Sequence, residues 1–225
     1  MLLGVSTGVF YGTYEQTAMN EKIRQLADLP IDFIEILFAE PNALEIEITQ
    51  ETIDAIKGKR ILVHTPFYQY TKEIIQKTIA QAKRLGAEHI VIHPDYIIDV
   101  NILKERDVIF ALENIKSFPS TLLCGFHFEN FAALVDQIPV SIIVLDIGHA
   151  IQSGGEEEVI KYLDAYNQNI AACHVKKEQF TLSCMKLPFF SKIPLILEGR
   201  CKNREELINS IEEMKNISVK QRNNF

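Results

Sequence analysis

The sequence predicts a compact (β/α)8 barrel, and three observations carry that prediction. Eight short apolar segments rich in β-branched residues recur along the chain, with amphipathic stretches of helical period between them. Runs such as HIVIH, SIIVLD and PLILE are apolar almost throughout, which suits strands buried on both faces of a parallel sheet. Eight such units in 225 residues come to about 28 residues each, and a barrel of this type typically takes about 250 residues and trims to roughly 200. One barrel domain spanning residues 1–225 is therefore expected, with no large second domain.

The strands are expected at Leu2 to Val5, Ile31 to Phe38, Arg60 to His64, His89 to His93, Val108 to Glu113, Ser141 to Asp146, Ile170 to His174 and Pro194 to Glu198. Helical spacing is read at Glu21 to Leu29, Ile48 to Lys57, Tyr70 to Leu85, Glu156 to Tyr166 and Arg204 to Lys215. Gly86 follows Leu85 as a helix stop, and Asn203 before Arg-Glu-Glu suits an N-cap with acidic residues in the first turn. Lys176 to Lys192 has only a weak helical pattern, so the seventh helix should be shortened or replaced by a loop. Asn216 to Phe225 is polar and is expected to fray.

Composition narrows the function classes. A hydrophobic content of 47% with 24% charged residues belongs to a soluble globular protein. The formal net charge of −7 and a pI near 5.4 have the wrong sign for a protein that relies on many phosphate contacts with nucleic acid. No apolar run approaches the ~20 residues of a membrane span and the N-terminus lacks a basic leader, so a cytoplasmic location with no membrane partner is expected. Cys124, Cys173, Cys184 and Cys201 share no CxxC spacing and read as reduced, mostly buried thiols. Nothing in the sequence sets the oligomeric state.

The chemistry lies at the strand ends. In a β/α barrel the C-terminal ends of the strands converge on one face, where ligands bind. Here the third to eighth strands end in His64, His93, Glu113, Asp146 with His149 just beyond, His174 and Glu198. A single His or Glu after an apolar strand is more often a hydrogen-bonded terminus than a ligand. Six successive strands are harder to explain so, because three carboxylates converging in a buried mouth repel one another unless a cation joins them. Imidazole with carboxylate suits zinc, manganese, iron or cobalt, while Glu113, Asp146 and Glu198 alone offer the oxygens that magnesium prefers.

In order, His64-Thr-Pro, His93-Pro, Leu112-Glu113-Asn114, Asp146-Ile-Gly-His149, His174 and Glu198 resemble the xylose-isomerase-like barrels. That family includes sugar and sugar phosphate isomerases and epimerases, together with endonuclease IV and its AP endonuclease family 2 relatives. The resemblance covers nearly the whole chain. It implies one metal held by Glu113, Asp146, His174 and Glu198, and in polynuclear members a second held by His64 and His93 with Glu113 bridging. It also implies that His149 contacts substrate or a further metal, and it matches Glu35 to a frequent Glu position, where a salt bridge is an equal expectation.

Two departures bear on function. Endonuclease IV is expected to supply Asp-x-His after the seventh strand for a third zinc, and Val175 to Ile193 contains neither residue. Many sugar isomerases carry an acidic residue shortly after the seventh-strand His, where this chain has Lys176 and Lys177. Those lysines and Arg200 suit either a substrate anion or ordinary surface charge.

The resemblance therefore implies a metal-dependent isomerase or epimerase of a small sugar or sugar phosphate. It would use one or two ions, manganese or zinc, and an enediolate-type proton transfer, with Glu113 and Glu198 as acid/base pair and His149 orienting the substrate. Hydrolysis of abasic DNA in the manner of endonuclease IV is the alternative, ranked lower by the acidic pI, and a non-catalytic metal- or ligand-binding barrel is a third. Tyr11, Phe67, Tyr68 and Tyr96 follow strand ends and suit either stacking on a sugar ring or packing over the mouth.

Overall fold

Alternation along eight short strands decides this architecture, and it can be followed residue by residue. The computed structural model describes residues 2–10, 16–104, 107–115, 128–137 and 142–222. All eight expected strands form: β1 (Leu3–Ser6), β2 (Phe33–Leu37), β3 (Arg60–His64), β4 (His89–Ile92), β5 (Phe110–Glu113), β6 (Ile142–Asp146), β7 (Ile170–Val175) and β8 (Leu195–Leu197). They pair in chain order, all parallel, and close between β8 and β1.

The barrel interior is plugged by Phe33, Leu62, Val91, Ala111, Val144, Ala172 and Ile196, one from each of β2 to β8. Gly4 completes the ring, since it pairs with Phe33 on one side and Ile196 on the other. The neighbours of the plug residues along each strand, such as Ile34, Val63, Ile90, Leu112, Leu145 and Leu197, belong instead to the outer core under the helices. Alternating faces therefore hold two separate apolar cores.

One irregularity matters for the site. Between β6 and β7, Ile143 pairs with Ile170 but Val144 pairs with Ala172, so β7 carries one extra residue at Ala171. A bulge of this kind shifts the phase of the alternation. It turns Ala172 and then His174 inward, where an unbulged β7 would have presented Cys173.

The helices are α1 (Gln16–Ala27), α2 (Gln50–Ala55), α3 (Lys72–Leu85), α4 (Phe128–Val135), α5 (Ile147–Tyr166) and α6 (Arg204–Arg222). Their ends follow local chemistry. The Thr71 hydroxyl accepts from the Ile74 N–H at the start of α3, and Gly86 closes that helix at φ 64°, a left-handed conformation that suits glycine. Asn203 caps α6 through the Glu206 N–H at 2.9 Å. The α6 helix runs on to Arg222 where fraying was expected from Asn216, because the segment is polar but has no Gly or Pro to stop it.

In place of a seventh helix, three 3₁₀ turns join β7 to β8, at Lys177–Thr181, Cys184–Lys186 and Pro188–Ser191. Pro188 starts the last of them, and the Gln179 side chain accepts the Lys176 N–H, which ties the first turn to the end of β7. Cys173 and Cys184 are buried free thiols and Cys201 is half-buried, while Cys124 lies outside the described residues. No described helix is long and apolar enough to cross a membrane.

The Gly4 position yields a test. A Cβ there would lie 2.3 Å from Ile196 Cδ1 and 2.7 Å from Phe33 Cβ, and the second atom cannot swing away. Gly4→Ala should overpack the plug and cost about 1–3 kcal/mol, read as a lower urea midpoint with an unchanged slope.

Candidate metal and active site

Two positions beyond the plug residue on each chain segment stands a polar one: Ser6, Glu35, His64, His93, Glu113, Asp146, His174 and Glu198. A period of two puts this layer on the same inward face, one step nearer the C-terminal mouth. All but Glu198 are buried, and the Glu198 side chain is 20% exposed. The six strand-end residues expected from sequence are thus members of one layer.

Glu113 sits at its centre. Its Oε2 lies 3.0 Å from His64 Nε2 and 3.0 Å from His93 Nε2, and its Oε1 lies 3.2 Å from His174 Nδ1. His64 Nδ1 donates to the Thr65 carbonyl oxygen at 2.8 Å, because a carbonyl can only accept. In the neutral ring Nε2 is then the lone-pair nitrogen, aimed at a carboxylate. Two acceptors at 3.0 Å are stable only with a proton or a cation between them.

The same reasoning applies across the mouth. Glu35 Oε2 lies 2.7 Å from His174 Nε2, with both side chains fully buried. If Nε2–H donates there, the lone pair on Nδ1 points to Glu113 Oε1 and to Glu198 Oε1, the latter at 3.3 Å. A carboxylate holding the far nitrogen of an imidazole is the usual support for a metal-binding His. Glu35 is therefore a buried partner of His174, and its Oε1 is buried without a hydrogen-bond partner. Ligand atoms of Glu113, Asp146, His174 and Glu198 all lie within 4.8 Å of one another, as do those of His64, His93 and Glu113. Both donor sets mix imidazole with carboxylate and fit a divalent transition metal or zinc, with Glu113 common to the two.

Local sequence explains how Asp146 and His149 are held. Asp146 caps α5, accepting the His149 N–H on Oδ1 at 2.8 Å, while Oδ2 lies 3.4 Å from His149 Nδ1. Asn114 clamps the ends of β5 and β6: Oδ1 accepts the Asp146 N–H at 2.7 Å and Nδ2 donates to the Asp146 carbonyl at 3.0 Å. The Asn114 carbonyl also accepts from His149 Nδ1 at 2.9 Å. Gly148 leaves room for two side chains, since a Cβ there would meet Gln179 Nε2 at 2.5 Å and Asp146 Oδ1 at 3.1 Å. The spacing Asp-x-Gly-His thus combines a cap, a close approach and an oriented imidazole.

A cavity of about 290 Å³ lies over the layer, lined by His64, His93, Glu113, Asp146, His149 and Glu198 and walled by Phe67 and Tyr96. The Phe67 ring stands 5.2 Å from both His64 and His93, and Tyr96 stacks on His93 at 5.8 Å. Tyr68 is largely exposed and Tyr11 lies outside the described residues. Lys176 joins this lining, Lys177 lies 3.3 Å from Glu213, and Arg200 lines an adjoining cavity.

Behind the histidines, the Tyr70 hydroxyl accepts the His93 N–H at 2.9 Å and bonds Thr65 Oγ1 at 2.7 Å. Sequence reading passed over Tyr70 and Ser6, placed Asn114 in a motif without giving it a role, and left Glu35 undecided. Counting two residues past each plug position would have found Ser6 and Glu35; the Tyr70 and Asn114 contacts cross between strands and carry no linear signal.

Charge in the layer is strongly perturbed. Burial opposes a charge on His64, yet its hydrogen bond to Glu113 and the charges of Glu113, Glu35 and Glu198 push it up to about 9. Burial outweighs Glu113 at His93 and lowers it. Burial would raise Glu113, but His174, His93 and His64 hold it well below the usual carboxylate range. Burial, with Glu35, Glu113 and Asp146 and against His174, pushes Glu198 up to about 8.

Both His64 and Glu198 have folded pKa values above their unfolded ones, so their stabilising contribution is present at low pH. That of Glu198 is lost as pH rises through about 8 and that of His64 through about 9. The melting temperature of chelator-treated protein should fall between pH 6.5 and 9.5, with a shallower fall in Glu198→Gln. A flat profile in both proteins would show that these shifts are absent.

No protein-family model matches the chain, and no curated protein matches its sequence. Solved structures do match. D-Allulose 3-epimerase from Methylomonas sp. is 14% identical at a TM-score of 0.65, over 94% of this chain and 89% of that one. The 3-keto-D-glucoside 4-epimerase of E. coli is 13% identical at 0.67, over 97% and 99%. D-Psicose 3-epimerase from Clostridium cellulolyticum H10 is 12% identical at 0.67, over 97% and 98%. The chain shares the closed parallel β/α barrel fold of these epimerases. N-Acetylneuraminate lyase from Mycoplasma synoviae also matches, at 12% identity and a TM-score of 0.59, so the fold alone does not select a reaction.

Proposed function

We propose that this protein is a metal-dependent isomerase or epimerase of a small sugar or sugar-like hydroxycarbonyl compound. The observation that carries the reading is the buried set Glu113, Asp146, His174 and Glu198 under a small cavity, on a fold shared with sugar epimerases. These four residues would hold the principal ion, and His64 and His93 with Glu113 a second, with manganese or zinc fitting either set. A bound divalent ion would polarise the substrate carbonyl and make the neighbouring C–H more acidic.

The remaining work falls to this chain's own groups. Glu113 and Glu198 line one cavity from opposite strands, β5 and the end of β8, and their environments push their pKa values apart. Two carboxyl groups facing one cavity are what proton removal from one side of a carbon and return to the other requires. Glu198, the more exposed of the two, is placed to carry the mobile proton. His149, oriented through Nδ1 by the Asn114 carbonyl, has Nε2 available as an acceptor for a substrate hydroxyl. Phe67 and Tyr96 present apolar ring surface that suits a sugar face and reduces water access.

Incubation with manganese or zinc and a panel of ketoses and their phosphate esters in deuterated water tests this reading. Deuterium should enter beside the carbonyl, and Glu198→Gln should slow exchange by about 10³-fold or more, beyond the 10²–10⁴-fold typical of one general acid or base only if ligation is lost too. The second donor set, His64, His93 and Glu113, favours a two-metal phosphodiesterase as the competing reading. Cleavage of an abasic-site duplex without any exchange would establish that reading in place of the isomerase.

A further inference from the structure

The cavity over the ligand layer adjoins a second, larger one of about 520 Å³ at the ends of β7 and β8. Phe67, Lys176 and Glu198 line both. We infer that the second cavity is a phosphate subsite, in which Lys176, Lys177 and Arg200 hold the phosphate of a phosphorylated sugar while its carbonyl end lies over Glu198. The inference deepens the isomerase reading and rests on it for the identity of the rest of the substrate.

Four observations support it. The shared wall makes the two cavities one continuous binding surface, with Lys176 at the junction. The Lys176 N–H is used by Gln179 Oε1 at 2.9 Å, but its ammonium pairs with no carboxylate among the described residues, although Glu113, Asp146 and Glu198 line the same cavity. Lys177 does pair with Glu213 at 3.3 Å, but both side chains are about half exposed, and such a pair contributes little and exchanges readily for a better anion. The Gly199 backbone brings the two basic strand ends together: a Cβ on it would lie 3.6 Å from Lys176 Cβ and 3.7 Å from the Lys177 N.

The opposing charges in that cavity are Glu178, Glu198 and Glu206. Glu206 is engaged in accepting the Lys202 N–H at 2.6 Å, and Glu198 belongs to the ligand layer. Glu178 and Glu206 remain to oppose an incoming anion, against the three cations Lys176, Lys177 and Arg200. An ammonium and a guanidinium fork suit the spread charge of a phosphate, and the loops after strands seven and eight are a frequent place for one in β/α barrels.

Inorganic phosphate is the probe for the subsite. Titrated into the metal-loaded full chain by calorimetry, it should bind saturably, and the Lys176→Gln/Arg200→Gln double variant should bind it at least 10-fold more weakly while retaining metal binding and its melting temperature. No phosphate binding, equal binding by the variant, or binding that disappears with the metal and ignores the variant would each overturn the inference.

Deuterium exchange with matched ketoses and ketose phosphates separates this claim from the isomerase reading. A phosphate ester favoured by at least 100-fold in kcat/KM, with the advantage falling below 10-fold in Lys176→Gln, supports the subsite. Equal exchange with both overturns the subsite and leaves the isomerase standing. Exchange with neither, alongside phosphate binding lost in the double variant, upholds the subsite and removes the isomerase reading.

Discussion

Everything at the mouth of this barrel depends on compensating negative charge in a dry layer. Glu35, Glu113, Asp146 and Glu198 converge with three histidines where water is largely excluded. Burying each ion costs several kcal/mol, on the order of what one good pairing returns, so the layer holds only if every carboxylate meets a positive group. Without a metal the histidines must serve. Protons shared between Glu113 and His64 or His174, and a proton kept on Glu198, are the arrangement the geometry allows. A divalent ion would replace those protons and engage the imidazole lone pairs, which the outer bonds from His64 to the Thr65 carbonyl and from His174 to Glu35 already turn inward.

The scaffold serves that constraint at several removes. The plug of Phe33, Leu62 and their counterparts supports the layer from below. The bulge at Ala171 sets the phase that turns His174 inward. Asn114 locks two strand ends together, and Gly148 leaves room for the Gln179 side chain beside the first turn of α5, which Asp146 caps. In each case packing or a hydrogen bond fixes the position of a charged group, which an electrostatic site requires.

Much of this was legible in the sequence, for definite physical reasons. Strands buried on both faces announce themselves as runs of Ile, Val and Leu, and all eight were placed within two residues of their observed bounds. Polar residues ending such runs stand out because burial there is costly, which is why His64, His93, Glu113, Asp146, His174 and Glu198 could be picked out together, while their division into two metal sets rested on the family resemblance. Glu35 was harder to read, since it lies inside the run Phe33–Leu37 and resembles a single interruption. The α4 helix, Phe128–Val135, was not among the helices read from the sequence. The kinked start of α5 was missed because Gly154 and Gly155, non-helical in the structure, break the pattern that begins at Ile147. Tyr70 and the Lys176–Gly199 contact arise from tertiary packing and leave no periodic trace.

The central claim is that the buried layer is a divalent-cation site, and calorimetric titration of manganese or zinc into chelator-stripped protein at pH 7 tests it most directly. Performed in two buffers of different ionisation heat, it reports protons released as well as ions bound. Saturable binding of one or two ions with proton release is expected, since the ion would displace protons from Glu198 and the histidines. Absence of binding, or binding without proton release that survives in Glu113→Gln, would contradict it.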